Sequence, residues 1–314
     1  MILGLDTSNY KTSVACFEPE SGFWRSEGRF LHVEQGKLGL RQSEALFQHV
    51  KVLPEVVSML ELDMGAHITA VGYSDRPREL EGSYMPCFLA GKMLAESISS
   101  LYGIPAYRFS HQQGHLASAL FSVGRLGLLK KPFLAWHLSG GTTELLYVKP
   151  DDELLFTADI IGGTSDISAG QAIDRCGVAL STPFPSGKYV EQMALQSDKR
   201  DCFTAKCSDG IFSLSGLENK FKDMIKNGKS PSDICSFTLR SVFSTIKKAT
   251  DWARKAYPGA PLLMMGGVSV CSLLHEYIEG PDIFYACKGL GGDNALGVAV
   301  LTFLEMEREG LCRL

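Results

Sequence analysis

The chain has 314 residues, which is enough for about two domains that each bury a core. With 45% apolar and 21% charged residues, its composition excludes collagen, coiled coils and intrinsic disorder. The net charge of −4 gives the chain as a whole no electrostatic affinity for nucleic acid, so such binding must be local or shared with a partner. The nine cysteines are scattered and include no C-x-x-C pair, which predicts free thiols and excludes a zinc ribbon.

We expect no targeting or membrane segment. Its first residues reach Asp6 without the basic and apolar regions of a signal peptide. The longest uncharged run, residues 256–275, is broken by prolines and glycines, which favour a strand and a turn over a membrane helix. We therefore expect a cytoplasmic protein that does not bind a membrane.

Two segments, residues 1–17 and 133–148, share one layout: an apolar strand, a polar turn and a second apolar strand. This repeat predicts two similar lobes that each open with a hairpin. The remaining pattern predicts a mixed α/β protein with helices at 41–62, 88–102, 169–181, 187–196, 214–227, 232–256, 270–278 and 295–306, strands at 67–73 and 261–265, and loops at 124–127 and 181–187.

His111 and His115 are the first candidates for chemistry. Ser110 is a good helix N-cap, and four residues of helix would place both imidazoles on one face, the spacing that chelates one metal ion. Two solvated or capping histidines at a helix start are the alternative. An isolated H-x-x-x-H pattern leaves both interpretations open.

Three polar turns have the composition of anion-binding loops. Residues 139–143 (SGGTT) lie between two strands, where glycines allow backbone N–H groups to converge on a phosphate. Residues 266–269 (GGVS) run from a strand to a predicted helix N-terminus, whose dipole would favour an anion. Each turn alone is explained by tight geometry, whereas two such turns together with residues 6–12 favour a nucleotide triphosphate site.

Carboxylates at Asp166 and Asp174 flank Gly170 at intervals of four residues, so a helix would place all three on one face, with room for a ligand at the glycine. A surface helix in which Asp174 pairs with a lysine is the alternative. Asp293 precedes the last helix and could be only its cap. Lysines at 220, 222, 226, 229, 247 and 248 could contact a phosphate backbone, although such a run is more often a solvated face.

Taken together, these segments resemble the tRNA threonylcarbamoyladenosine synthase family (TsaD/Gcp, peptidase M22-like). The matching motifs occur in the family's order and cover almost the whole chain. The resemblance rests on residues 4–8 (GLDTS), 111–115 (HQQGH), 139–141 (SGG), 169–174 (AGQAID), 212–217 (FSLSGL), 266–269 (GGVS) and 293–294 (DN). It implies the two-lobed α/β fold of actin, sugar kinases and heat-shock chaperones, with a nucleotide cleft between the lobes. We assign residues 1–107 and 295–314 to lobe I, and residues 108–294, with the metal and nucleotide motifs, to lobe II.

The resemblance also implies roles for individual residues. His111, His115 and Asp293 would hold one divalent ion, iron or zinc. The phosphate or carbamoyl part of ATP or an acyl-adenylate would contact Ser139, Gly140 and Gly141. Its ribose would contact Asp174 and Gly187, and Gly267 would line the nucleotide. In similar enzymes a threonylcarbamoyl-adenylate, made from ATP, bicarbonate and threonine by another protein, gives its threonylcarbamoyl group to adenosine next to the anticodon of tRNA.

The chain departs from the family at several of these positions. Tyr10 and Lys11 replace an acidic pair, Thr142 replaces a histidine, and Cys271 replaces an asparagine expected to meet the nucleotide. The glycine-rich loop near residues 75–79 reads DRPRE. Lys11, Thr142 and Cys271 still belong to the expected nucleotide site, and Lys11 is either a phosphate ligand or a plain surface lysine. This pattern indicates a divergent paralogue with an intact metal site.

The resemblance and the departures from it lead to two alternative hypotheses about function. The first is a metal- and adenine-nucleotide-binding transferase that moves a threonylcarbamoyl or related carbamoyl group to tRNA adenosine or a similar acceptor, with a partner protein helping to bind tRNA. The second is a catalytically impaired paralogue that acts as a partner or regulator of the true synthase and fails to replace it. The implied assemblies are a heterodimer with a TsaB-like protein or a homodimer. A protease is disfavoured because residues 111–115 lack the glutamate of H-E-x-x-H.

Overall fold

The structure, a computed structural model, describes residues 1–8, 10–33, 40–62, 66–289 and 294–312. Contacts divide the chain into two compact units. The first comprises Met1–Leu126, Asp152–Thr157 and Gly289–Leu314, and the second comprises Gly127–Asp151 and Ala158–Lys288. This division differs from the predicted boundary at 107/108, because residues 108–126 pack within the first unit.

The helices and strands are listed here in chain order. They are β1 Ile2–Ser8, β2 Lys11–Glu18, β3 Phe23–Phe30, α1 Gln42–Ser58, β4 Ala70–Arg76, α2 Leu89–Tyr102, β5 Ala106–Ser110, α3 His111–Ser122, β6 Phe133–Leu138, β7 Thr143–Asp151, β8 Leu155–Thr164, α4 Ala169–Ala179, α5 Gly187–Ala194, β9 Cys207–Ser208, β10 Ile211–Phe212, α6 Ser215–Lys226, α7 Pro231–Ala256, β11 Leu262–Met265, α8 Ser272–His275, β12 Ile283–Tyr285 and α9 Asn294–Arg308. Short 3₁₀ helices lie at Pro86–Phe88 and Leu126–Lys130.

In the described part of the first unit, five strands form a sheet in the order β3-β2-β1-β4-β5. The predicted opening hairpin is confirmed, since β1 pairs antiparallel with β2, while β4 lies parallel to β1 on its other side. Both central strands are almost wholly buried, because α1 and α2 cover one face of the sheet and α9 covers the other. The polar residues at the end of β1, Asp6 to Ser8, are therefore held in a buried strand.

A close helix contact explains why α3 belongs to the first unit. A Cβ atom on Gly297 of α9 would lie 1.9 Å from the carbonyl oxygen of Gly114 in α3. Only glycine permits this approach, which brings the two backbones together. The contact also places Asn294, the first residue of α9, beside α3. A Cβ on Gly114 would lie 3.1 Å from the backbone carbonyl oxygen of Asn294.

The second unit is built around a sheet in the order β12-β11-β6-β7-β8-β10-β9 among the described residues. The predicted second hairpin is confirmed as the antiparallel pair β6 and β7, and β11 runs parallel to β6. Trp136, Phe221 and Phe243 are fully buried in the core that α4, α6 and α7 form with this sheet. The ends of β6 and β11 therefore lie side by side.

The described residues also settle the state of the cysteines, the search for membrane helices and the extent of one predicted helix. All nine cysteines are free thiols, as predicted. No helix within the described ranges has the length and apolar character needed to cross a membrane. The predicted helix at 270–278 is wrong in extent, because the chain turns from Gly266 to Val270 and α8 spans a single turn, Ser272–His275.

Candidate functional site

Helix α3 begins where the sequence predicts, and it carries both histidines. Ser110 accepts a hydrogen bond from the backbone N–H of Gln113, whose side chain accepts one from the Ser110 backbone, a complete capping box. His111 and His115 then follow on one face of the helix. Their ring centroids are 4.6 Å apart, so the predicted pairing of the two imidazoles is confirmed.

A buried carboxylate holds the first of these rings. Asp6, near the end of β1, is 1% exposed, and its Oδ2 lies 2.8 Å from His111 Nδ1. The same oxygen accepts from Ser74 Oγ at 2.6 Å, and Oδ1 accepts from the Ser8 backbone N–H at 3.1 Å. Burial alone would raise the pKa of Asp6, but the His111 ring and these hydrogen bonds lower it below its ordinary value. Asp6 therefore accepts hydrogen bonds from the Ser74 hydroxyl and the Ser8 backbone and contacts the His111 ring.

The two rings share a common neighbour, the side chain of Asn294. Its Nδ2 lies 2.5 Å from His111 Nδ1, 3.0 Å from His111 Nε2 and 3.4 Å from His115 Nε2. Its Oδ1 is buried and has no hydrogen-bond partner within the described ranges. Imidazole nitrogens suit iron or zinc, and the orphaned oxygen belongs to the same amide that contacts both rings, so the chemistry of these donors fits a divalent ion.

The set of metal ligands is incomplete on the described residues alone. The third expected ligand, Asp293, lies outside them. Among the residues that the structure describes, no group of three His, Cys, Asp or Glu side chains is arranged to bind a metal ion. The structure therefore supports a histidine pair with an orienting carboxylate, and leaves the role of Asp293 as a prediction.

In the second unit, the turn between β6 and β7 is shaped by its own serine. Ser139 N donates to Thr142 O at 2.8 Å, and Ser139 Oγ accepts from the N–H groups of Gly141 and Thr142 at 3.3 and 3.0 Å. These two amides converge as predicted, but they converge on the serine oxygen. An anion bound to them must take the place of Ser139 Oγ.

The start of α4 packs directly against this turn. Ser168 Oγ donates to Gly140 O at 2.7 Å, and Ala169 N donates to Thr143 Oγ1 at 2.8 Å. A Cβ on Gly170 would lie 2.6 Å from Gly140 Cα. Gly170 is therefore needed for the turn to rest on α4, rather than to leave space for a ligand as the sequence predicted.

Asp174, one turn further along α4, is tied to the beginning of α5. Its Oδ1 accepts from the Ser186 N–H at 2.7 Å, and Gly187 is the first residue of α5. Glu191 of the same helix accepts from both Ser272 N and Ser272 Oγ at 2.8 Å. The expected nucleotide residues Asp174, Gly187 and Cys271 are thus linked through α5.

Cys271 differs chemically from the asparagine that it replaces. It is buried, and burial together with the negative charge of Glu191 raises the pKa of its thiol to about 12. The side chain is therefore a neutral thiol. It offers only weak hydrogen bonding compared with an amide.

The second glycine turn lies beside the first. Gly266 has φ +95°, and a Cβ there would lie 2.3 Å from Leu138 O, so the turn at 266–269 is pressed against the residue before Ser139. The prediction that a helix dipole supports Gly267 is wrong, because Gly267 lies in a turn and α8 begins only at Ser272. Any anion binding here depends on the turn alone.

Asp166 has a different role from the one that the spacing predicted. It precedes α4 instead of lying on its face, because that helix begins at Ala169. Its carboxylate accepts from Ser213 Oγ and from the N–H groups of Leu214 and Ser215 at 2.9 and 3.1 Å, which caps the start of α6. Although burial opposes the charge, these hydrogen bonds lower the pKa of Asp166 well below its ordinary value.

Among the lysines predicted at 220–248, Lys222 and Lys247 have local ion-pair partners. Lys222 pairs with Glu218 and Lys247 with Asp251, each at 2.6 Å, which favours the interpretation of a solvated face over a phosphate contact. Lys11 begins β2 in the first unit. A Cβ on Gly28 of β3 would lie 2.5 Å from Lys11 Cε, so the lysine stem lies across the neighbouring strand.

The sequence placed Asp6 only in the polar turn at residues 6–12 and missed its contact with His111, and it missed Ser74 altogether. Asp6 directly follows four residues of a buried strand, where a carboxylate is costly unless it has partners. Ser74 is 68 residues away in the sequence and is joined to it only by the parallel pairing of β1 and β4. No local pattern could have predicted that contact.

Comparison with known proteins assigns the family. The model of TsaD, tRNA N6-adenosine threonylcarbamoyltransferase, matches residues 31–297. A protein of that name from Streptococcus equi subsp. equi is 30% identical over 70% of this chain and 67% of its own length. Another, from Streptococcus suis, is 26% identical over 99% of this chain and 94% of its own length.

Solved structures at lower identity show the fold. HypF from T. kodakarensis matches 98% of this chain and 48% of its own with a TM-score of 0.61 and 14% identity. The activator of 2-hydroxyisocaproyl-CoA dehydratase from Clostridium difficile matches 100% of this chain and 98% of its own, with a TM-score of 0.56 and 13% identity. The expected fold of actin, sugar kinases and heat-shock chaperones is thereby confirmed. Because the family model covers most of its length, the chain belongs to the TsaD family.

Proposed function

We propose that this protein is a threonylcarbamoyl transferase that uses a threonylcarbamoyl-adenylate as donor and a tRNA adenosine as acceptor. The observation that carries the proposal is the imidazole pair of α3, whose two Nε2 atoms face the same amide while a buried carboxylate holds one ring. The names of the relatives supply the reaction.

The first unit would supply the metal site. His111 and His115 would hold one divalent iron or zinc ion, with Asp293 as third ligand. When bound, the ion would act as a Lewis acid that polarises and orients the acyl donor. Asp6 would keep the His111 ring in place, and the contact between Gly114 and Gly297 would hold α3 against α9.

The second unit would supply the adenylate site. The exposed backbone of Gly140 and Gly141 would contact the phosphate or carbamoyl part of the ligand, with Ser139 and Thr142 fixing the turn. The turn lies beside residues 266–269, and Gly267 would line the nucleotide there.

The ribose and base would lie along α4 and α5. Because Oδ1 of Asp174 is engaged by Ser186, its Oδ2 would accept from the ribose hydroxyls near Gly187. Cys271 would contact the nucleotide as an uncharged thiol, in place of an amide.

A catalytically impaired partner or regulator is the second candidate, and the departures favour it. Lys11 places a positive charge where the family has an acid, which favours holding an anionic ligand over turning it over. Thr142 lacks the proton-transfer capacity of the usual histidine. In that case the protein would bind metal and adenylate, and would act with a TsaB-like partner or as a homodimer.

One experiment separates the two candidates. Purified protein, loaded with iron or with zinc, is first titrated with ATP by calorimetry and then incubated with threonylcarbamoyl-adenylate, tRNA and the usual partner proteins. The transferase forms threonylcarbamoyladenosine, and the His115→Ala variant does not. Nucleotide binding without product supports the impaired paralogue, and no adenine-nucleotide binding at all contradicts both.

A further inference from the structure

We propose that the hydroxyl of Ser139 competes with the ligand for the two backbone amides of the turn at 139–142, which makes this turn selective for an anionic phosphoryl oxygen. That the phosphate belongs to an adenylate rests on the proposed function. The competition itself does not, because it is set by hydrogen bonds inside the second unit.

The two amides share one acceptor in the structure. The N–H groups of Gly141 and Thr142 both donate to Ser139 Oγ, at 3.3 and 3.0 Å. Neighbouring N–H groups that converge on one oxygen form the kind of concave site that binds a phosphate oxygen. A ligand oxygen that takes up both hydrogen bonds occupies the place of Ser139 Oγ, so the Ser139 side chain must rotate to another staggered rotamer.

The backbone of the turn is also held by contacts that do not involve this hydroxyl. Within the turn, Ser139 N donates to Thr142 O at 2.8 Å. From outside it, Ser168 Oγ donates to Gly140 O at 2.7 Å, and Gly170 packs so closely that an added Cβ would lie 2.6 Å from Gly140 Cα. These contacts remain when Ser139 Oγ leaves. The amides therefore keep their direction, and only their acceptor changes.

The strength of the ligand oxygen as an acceptor decides the competition. A neutral acyl oxygen accepts hydrogen bonds about as strong as those of the hydroxyl oxygen that it replaces, so the exchange gains little. An anionic phosphoryl oxygen accepts charge-assisted hydrogen bonds that are roughly twice as strong. Gly140 and Gly141 are exposed, so a ligand reaches the amides from solvent. Of the two groups expected here, the phosphoryl group and not the carbamoyl group therefore displaces Ser139 Oγ.

Substitution of Ser139 by alanine removes the competitor. The amides of Gly141 and Thr142 then donate to water, which phosphate displaces without breaking an internal hydrogen bond. We expect Ser139→Ala to bind inorganic phosphate about 10-fold more tightly than the wild type, which corresponds to one net hydrogen bond. If Ser139 were instead a ligand, the same substitution would weaken binding. The sign of the change therefore separates the two roles.

The test is a titration of ¹⁵N-labelled protein with inorganic phosphate, followed by NMR at the backbone amides of Gly141 and Thr142. The Gly141→Ala and Thr142→Val variants identify these signals, and an added Cβ on Gly141 meets no atom within 4 Å. We expect phosphate to shift both signals in the wild type, and at about 10-fold lower concentration in Ser139→Ala. Acetamide, a neutral acyl compound, should leave the wild-type signals unshifted. Phosphate binding by Ser139→Ala that is absent, or no tighter than in the wild type, overturns the proposal, and so does an equal response of the wild type to acetamide.

Ser168→Ala is the matched control. It also removes a serine hydroxyl beside the turn, but that hydroxyl donates to Gly140 O and its loss leaves the two amides engaged with Ser139 Oγ. Ser168→Ala should therefore bind phosphate no more tightly than the wild type. Equal tightening in both variants identifies a looser turn as the cause and contradicts the proposal. These measurements need neither metal nor acyl transfer, so the competition is confirmed or refuted even when the threonylcarbamoyl assay gives no product.

Discussion

Replacing Gly170 by alanine tests the packing of α4 against the turn at 139–142. Gly170 is the second residue of α4, and an added Cβ would lie 2.6 Å from both Gly140 Cα and Ser139 O, and 2.9 Å from Gly140 N. All three atoms belong to the backbone of the turn, so no flexible side chain can move aside to make room.

The expected effect follows from these distances. Carbon atoms normally approach to about 3.5 Å, so the turn or the helix must shift by about 1 Å. Inserting a methyl group into a packed region costs about 1–3 kcal/mol, which outweighs the gain of about 1 kcal/mol in helix propensity. The same shift moves Gly140, so ATP binding should weaken about 10-fold or more, because a misplacement of about 1 Å is costly at a preorganised site.

Gly216 provides the matched control, because it is the second residue of α6 and an added Cβ there meets no atom within 4 Å. Gly216→Ala should raise the free energy of unfolding by about 0.5–1 kcal/mol, whereas Gly170→Ala should lower it. Urea unfolding measures both effects, and calorimetry with ATP measures the binding. If the two variants are equally stable and bind ATP alike, the turn does not depend on α4 and our reasoning is wrong.

The remaining predictions concern three other positions. Asp174→Ala should weaken adenylate binding by about 1–3 kcal/mol through lost charge-assisted hydrogen bonds, as measured by calorimetry; unchanged affinity contradicts its ribose role. His115→Ala should lose metal binding and stay folded, and unchanged metal content by elemental analysis would contradict this. Burial lowers the pKa of His49 below 6.5 in the folded chain, so the unfolded chain binds a proton at a higher pH than the folded chain does. The free energy of unfolding therefore falls as the pH drops below about 6.5. His49→Gln should flatten this pH dependence in urea unfolding, and an unchanged slope would refute the assignment.

The sequence predicts the parts of the fold that depend on local pattern. The two hairpins, the capped start of α3 at Ser110, and the helical segment that carries Gly170 and Asp174 are all found as expected. In each case the periodicity or the capping residue lies within a few positions of the element that it defines.

The failures have two physical causes: contacts between segments that are distant in the sequence, and strands whose local pattern is weak. Asp166 fits a helical spacing, but its carboxylate accepts hydrogen bonds from residues 213–215. Gly170 lacks a side chain because its backbone packs closely against Gly140, a residue 30 positions away. The edge strands β3 and β5 were missed: β3 is largely exposed, β5 is only five residues long, and neither shows a strong apolar alternation. The contact of Ser74 with Asp6 requires strand pairing that no local window contains.

The central claim is that this chain transfers an acyl group with the histidine pair of α3, despite Lys11 and Thr142. The most direct measurement is the formation of threonylcarbamoyladenosine in tRNA by purified, metal-loaded protein given threonylcarbamoyl-adenylate and the usual partner proteins. We predict product with the wild type and none with His115→Ala. Adenylate bound by folded, metal-loaded protein with no product in the tRNA would contradict the claim and identify the chain as a binding paralogue.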